Sequence, residues 1–361
     1  TGGGHGKVNY LKLPPTLTGC RANIIALTGR WFPTGAHKVG ATFGCLVPKL
    51  ITGQFNPEKD WAVWPSTGNF CRGGAYISSL LSCNSIAILP EEMSKERFEW
   101  LGKVAGEIIT TKGGESNVKE IFDKCWELRQ DGRSIQIFNQ FEELGNPLWH
   151  YHVTGQALKE ALEGEMKPGD RLAGAIYSSG SGGTMGSGYY LKEHFPGAKM
   201  AVVEALQCPT LLNNGFGEHR IEGIGDKHVP WIHDMKNTDM VIAVDDEDTI
   251  RLLRLFNEPE GRAELKAMGV EQELIDQLDL LGISGICNLI AAIKFAKYYE
   301  LTEKDYVTTI FTDSMDLYGS RLNELNQERG EYQQRNADRD LDRLSNLSID
   351  NMQELNHYDK K

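Results

Sequence analysis

From about residue 60, hydrophobic and polar positions follow two alternating rhythms. Short apolar runs at WAVWP (61–65), SIAILP (85–90) and EIITT (107–111) predict strands. Between them, GGAYISSLLSC (73–83), SKERFEWLGKVAG (94–106) and SNVKEIFDKCWELRQ (116–130) space their apolar residues as helices do. A second unit starts at RLAGAIYSS (171–179) and passes through a glycine-rich loop and a helix near 185–194. The strands KMAVVEA (199–205), MVIAV (240–244) and YVTTIF (306–311) follow, with helices at about 246–257 and 284–299. Strand–helix alternation implies parallel sheets covered by helices. The expected fold class is therefore α/β, with two wound units and a cleft between them at the carboxyl ends of the strands.

After about residue 318 the pattern thins out. Only Leu322, Leu325, Leu341, Leu344 and Leu347 form an apolar stripe in a polar, mixed-charge segment. This predicts a peripheral helical appendage, packed on the body or on a partner subunit. No internal repeat is evident.

Composition narrows the function classes. The 361 residues are 40% hydrophobic, enough for a large core in one large or two moderate domains. A net charge of −12 argues against nucleic-acid binding. No apolar run has the length of a membrane span. The opening TGGGHGKVNY has no signal-peptide pattern, although the absence of an initiator Met leaves an upstream segment open. Seven scattered cysteines without a Cys-x-x-Cys pair point to a reducing, cytoplasmic setting, with neither a disulfide framework nor a zinc site. His150 and His152 form a fragment of a metal site with no third ligand nearby, so no metal is expected.

Three stretches carry chemistry. In RWFPTGAHKVGAT (30–42), Lys38 is either a surface lysine or a pocket nucleophile of the Schiff-base kind, and the stretch alone leaves both open. In SSGSGGTMGSGYYL (178–191), a glycine-rich turn leads into a helix, where unsatisfied N–H groups and the helix dipole favour an anion. Met185 breaks the dinucleotide-loop pattern, and the absence of lysine breaks the nucleoside-triphosphate pattern. What remains is a phosphomonoester cradle of Gly180, Ser181, Gly182, Gly183 and Thr184, or merely a tight turn. In WPSTGNFCRGG (64–74), Ser66, Thr67 and Asn69 are small donors suited to a carboxylate or phenolic oxygen, or else an ordinary helix cap.

Taken in this order, the lysine, the Ser-Thr-Gly-Asn loop and the Gly-Ser-Gly-Gly-Thr loop resemble the cysteine synthase and cystathionine β-synthase branch of fold-type II pyridoxal-phosphate enzymes. The resemblance runs over roughly residues 8–318. NQFEELGNPLWHYHVTG (139–155), HRIEGIGDKHVP (219–230), GISGICNLIAAIKFAK (282–297) and FTDSMDLY (311–318) look like four further family segments. GAHK itself is more similar to tryptophan synthase β subunits. The resemblance implies a tryptophan synthase β-like fold. Residues 1–43 and 145–318 would form the larger cofactor-binding domain, 44–144 a smaller, mobile substrate-loop domain, and 319–361 a C-terminal helical extension.

Carried over by position, the resemblance makes Lys38 the Schiff-base lysine and catalytic base for pyridoxal 5′-phosphate, and residues Gly180 to Thr184 the phosphate cradle. Asn69 falls beside the phenolic oxygen and Ser314 faces the pyridine nitrogen. Neighbours on a strand end point to opposite faces, which favours Ser314 over Asp313 for that place. Ser66, Thr67, Gly68, Gln140 and Gly223, with Gly225 nearby, match the substrate-binding stretches. Phe70 is likewise expected at the substrate, although the family usually has threonine there, and Val39-Gly40 replace a charged pair. Arg72, three residues past Asn69, either meets an acidic β-substituent of the substrate or faces solvent. The implied activity is β-replacement on a β-substituted L-amino acid through an aminoacrylate, with a small nucleophile such as sulfide. The alternative is a β-elimination lyase releasing a 2-oxo acid and ammonia. A third reading is a non-catalytic cofactor-binding interaction protein. The partners implied are a small amino acid and a nucleophile, in a homodimer that engages neither nucleic acid nor membrane.

Overall fold

The computed structural model describes residues 6–114, 117–225 and 227–361. Ser116, where one helix was predicted to begin, lies outside these, as do residues 1–5 of the expected larger domain and Asp226 of the Gly-Ile-Gly segment. Eleven strands form among the described residues: β1 (Tyr10–Leu13), β2 (Asn23–Thr28), β3 (Trp61–Pro65), β4 (Asn84–Pro90), β5 (Glu107–Thr111), β6 (Ile135–Ile137), β7 (Arg171–Ser178), β8 (Lys199–Ala205), β9 (Met240–Val244), β10 (Asp305–Phe311) and β11 (Met352–Glu354).

They divide into two sheets. The larger has seven strands in the order β1-β2-β10-β7-β8-β9-β11, and the smaller has four in the order β5-β4-β3-β6. Every pairing in the smaller sheet is parallel. The larger is parallel from β2 through β9, with antiparallel edge strands β1 and β11. Parallel strands need both faces covered, which accounts for their nearly continuous apolar sequences. The helix Ile283–Tyr298 packs into the main core along much of its length and supplies one such cover. Solvent shows only at the C-terminal turn of this helix.

The smaller sheet has its own core of Trp64, Phe70, Phe138, Ala87 and Leu89. The helix Lys38–Ile51 packs there, through Val39, Ala41, Cys45 and Leu46. The expected division at residue 43 falls inside this continuous helix.

The C-terminal segment is the helical appendage expected and packs on the body, with one short strand added to it. Two helices, Gly319–Arg329 and Gln334–Ser345, are followed by β11, which pairs with β9 and extends the main sheet. Leu325, Leu344 and Leu347 are buried in the main core with Tyr332 and Ala337, while Leu322 and Leu341 pack at its margin. Arg343 holds Asp248 through two bonds of 2.7 Å each. The sparse leucines suffice because each inserts into apolar surface already presented by the body.

Candidate active site

Lys38 owes its place to the end of β10. After β2, the Gly29 N–H donates to the Phe311 carbonyl (2.8 Å) and the His37 N–H to that of Thr312 (3.0 Å). The chain then enters the helix Lys38–Ile51 with Lys38 as its first residue. The positive end of the peptide dipoles lies here, an unfavourable place for a cation. The side chain reaches across to the glycine loop: a Cβ built on Gly180 would stand 3.8 Å from Lys38 Nζ.

Two adjoining cavities meet at Lys38, Gly180 and Gly223. One is lined by Ser66, Thr67 and Gln140, with an outer apolar wall of Val118, Ile121, Phe122 and Phe141. The other is lined by Ser178, Ser181, Gly182, Thr184 and Asn288. Residues from the carboxyl ends of β3, β7 and β10 thus converge, as the wound topology requires.

The glycine loop bridges β7 and the helix Met185–His194. Gly182 sits at φ +82°, a left-handed conformation that side chains resist. A Cβ on Gly183 would overlap the Asn146 side chain. Asn146 Nδ2 donates to the Gln140 carbonyl and to Ser181 Oγ, both at 3.0 Å. Asn288 accepts from the Ser178 N–H and donates to the Ile310 carbonyl, both at 2.8 Å. Neither asparagine was singled out from the sequence. The Asn146-Pro147 pair inside 139–155 was the only available signal for the first.

On the opposite side, Ser66 Oγ accepts from the Gly68 N–H (3.2 Å) and from Gln140 Nε2 (3.3 Å). Gln140 Oε1 is buried with no protein partner. Asn69 lies behind the loop, where its Nδ2 donates to Asp313 Oδ2 (2.6 Å). The Tyr318 hydroxyl donates to the same oxygen (2.8 Å). Burial pushes the Asp313 carboxyl up, opposed by the nearby Arg97 charge and by these two donors. Asp313 is thus engaged through Oδ2, while its Oδ1 and the buried Ser314 Oγ beside it have no hydrogen-bond partner in the protein.

Two expected substrate contacts lie elsewhere. Phe70 is fully buried in the smaller core, its ring 5.6 Å from that of Trp64. Arg72 neither lines the cleft nor faces solvent, since it is 1% exposed. Its Nη2 donates to the Thr34 carbonyl (2.7 Å) and its guanidinium lies 4.6 Å from the Trp100 ring. Burial, then the Arg97 charge, brings it down to about 10. Trp100 covers this turn of the helix, so the guanidinium turns toward the Thr34 carbonyl instead of the cavity.

Beside Lys38, the rings of His37 and His150 meet edge to face at 4.9 Å. Both His37 nitrogens are buried without partners, whereas His150 Nδ1 is 2.9 Å from Thr154 Oγ1. Burial holds His37 well below the usual imidazole range, and burial with the Lys38 charge brings His150 to about 3. His150 opens a π-helical turn over His150–Thr154, and His152 points to the exterior. No cluster of three metal-ligating side chains occurs among the described residues, and no helix among them is long and apolar enough to cross a membrane.

Residues 11–278 match a family model described as pyridoxal-phosphate dependent enzyme. The chain is 27% identical over 319 residues to cystathionine β-synthase of Saccharomyces cerevisiae, covering 85% of this chain but 59% of the yeast protein. It is 30% identical over 230 residues to a probable cysteine synthase of Bacillus subtilis, covering 63% of this chain and 72% of that one. Among solved structures, a hydrogen sulfide-producing enzyme of Fusobacterium nucleatum superposes with a TM-score of 0.74 at 22% identity, over 87% of this chain and 97% of the other.

Proposed function

Because the chain belongs to the family of pyridoxal-phosphate-dependent enzymes, we propose that it performs β-replacement on a β-substituted L-amino acid with a small nucleophile. The observation that carries this reading is the convergence on one cleft of the Lys38 amine, the glycine loop and the Ser66–Thr67–Gln140 wall. The residues fit the cofactor. The Gly180–Thr184 loop offers main-chain donors and small side chains to a phosphate, and Ser314 Oγ is a buried hydroxyl without a protein partner. Lys38 would hold the cofactor covalently, with Gly180, Ser181, Gly182, Gly183 and Thr184 on its phosphate, Ser314 at its ring nitrogen and Asn69 near its phenolic oxygen.

When bound, the cofactor supplies an electron sink for the pair left at the substrate Cα. The protein does the rest. Ser66, Thr67 and Gln140 orient the substrate carboxylate, with Gly223 and Gly225 as the facing wall. Lys38 Nζ takes the Cα proton as general base. A hydroxyl at the ring nitrogen, in place of a carboxylate, draws less charge into the ring and favours departure of the β-substituent. The apolar wall of Val118, Ile121, Phe122 and Phe141 suits an uncharged β-substituent and limits water around it.

The names of the curated relatives, cysteine synthase and cystathionine β-synthase, support this reaction class. The proposal extends to a smaller substrate-loop domain that moves against the larger one, to a homodimer, and to a cytoplasmic setting. The test is to supply an O-acylated L-serine with and without sulfide. A thiol amino acid forming only with sulfide, and little pyruvate, is expected. Equal pyruvate in both arms with no amino-acid product would establish elimination instead.

A further inference from the structure

Arg97 belongs to none of the stretches that carry chemistry, yet it is a fully enclosed charge near the cleft. It lies on the short helix Lys95–Leu101 of the smaller unit, and none of its surface is exposed. A charge buried so deeply must be paired and hydrogen-bonded. Nη1 donates to the Thr67 carbonyl (3.2 Å) and stands 3.0 Å from Glu222 Oε2. Nη2 donates to the Tyr318 hydroxyl (2.9 Å), which in turn donates to Asp313 Oδ2 (2.8 Å). A Cβ on Gly68 would overlap this guanidinium, so the substrate loop rests directly on it.

These partners are not scattered. Thr67 lines the cleft, Glu222 precedes Gly223, and Asp313 precedes Ser314. One planar fork therefore touches the substrate loop of the smaller unit and reaches two segments that bring the larger unit to the site. Arg321 braces the assembly from outside, with Nε on Glu222 Oε1 and Nη2 on the Glu92 carbonyl, both at 2.6 Å.

We propose that Arg97 is a positioning residue for the reaction. It fixes the Ser66–Asn69 loop at the distance from Gly223 and Ser314 that lets the loop grip the substrate carboxylate. This rests on the reading of the cleft as an amino-acid site. The guanidinium is required as a fork: an ammonium is a point charge and does not reach the Thr67 carbonyl, Glu222 and Tyr318 in one plane.

The test uses the holoenzyme with R97K, Y318F and R321Q, and with R343Q as a control in the tail ion pair with Asp248. Each is titrated with L-alanine, which has no β-leaving group, and binding is followed by cofactor absorbance. KM and kcat are then measured for a β-substituted serine. R97K is expected to keep its full cofactor content and melting behaviour. Its alanine Kd and donor KM should rise about tenfold or more, with kcat within about threefold of wild type. Y318F and R321Q should shift Kd in the same direction by less, and R343Q not at all. If R97K fails to fold, Y318F and R321Q carry the test. A wild-type alanine Kd in whichever of these variants folds with full cofactor, or a loss confined to kcat, overturns the role of Arg97. A wild-type enzyme that shows no spectral response to any amino acid overturns the underlying reading instead.

Discussion

The two loops facing Lys38 are built from opposite materials. The glycine loop after β7 is fixed by its own main chain and by two neutral amides, Asn146 and Asn288. The Ser66–Asn69 loop after β3 is backed by ions: Arg97 and Arg72 with Asp313 and Glu222. Neutral amides cost little to bury once bonded, whereas each buried ion depends on all the others remaining in place. A phosphate site also needs donors with no competing anion close by, which main chain and asparagine supply. The loop on the smaller unit has to be registered against a different sheet, and only long, charged side chains span that gap. The cofactor side is therefore locally built, and the substrate side is correct only when the whole molecule is.

That contrast is open to direct attack. Arg72→Ala removes one buried cation from the charged set and leaves the Thr34 carbonyl without its donor. A loss of about 3–5 kcal/mol in urea unfolding is expected, with the preference between acidic and neutral substrates unchanged. A selective KM rise for acidic substrates would return the guanidinium to the cleft. Gly183→Ala forces a methyl group against Asn146 and should cost about 1–3 kcal/mol. Its mark is reduced cofactor content per subunit, read by absorbance. Full cofactor content in this variant would mean that the amide-held loop tolerates displacement.

The remaining effect is in pH. His37 and His150 titrate below their ordinary 6.5 in the fold. Between that value and their folded values, the unfolded chain binds protons that the native chain does not. Stability present above pH 6.5 is thus lost as pH falls toward about 3 for His150. The slope is at most about 1.4 kcal/mol per pH unit for each imidazole. Asp313, raised by burial, acts in the opposite sense near its ordinary 3.8. Urea midpoints from pH 7 to 5 should fall, and H150Q should flatten the decline. A slope identical to wild type would show that His150 is not held neutral.

The same contrast governs what could be read from the sequence. The strands at 61–65, 85–90, 107–111, 199–205 and 240–244 stand where their apolar runs predict them. Lys38, Ser66, Thr67, Gln140, Gly180 and Gly223 come from separate stretches and line one cavity. Composition reveals a glycine loop because its function is local. Arg97 gives no such signal, because its hydroxyl partner Tyr318 is 221 residues away. Arg72 was misplaced for a related reason. Helical spacing puts it near Asn69, but Trp100 and the Thr34 carbonyl, both remote in sequence, decide where it turns. β6 and β11 are three residues each, too short for alternation to register.

The strand order has a consequence for synthesis. β3 to β6 are contiguous within residues 61–137, so the smaller sheet is able to pair soon after it leaves the ribosome. The larger sheet must wait, because β10 inserts between β2 and β7 and is not made until residues 305–311. Until then β2 and β7 each present a bare edge, and β9 keeps one until β11 arrives within the final ten residues. Such edges template intermolecular pairing. A chain truncated before β10 would carry a finished small sheet beside three open strands, β2, β7 and β9, and its failure would be aggregation during translation before any question of catalysis arose.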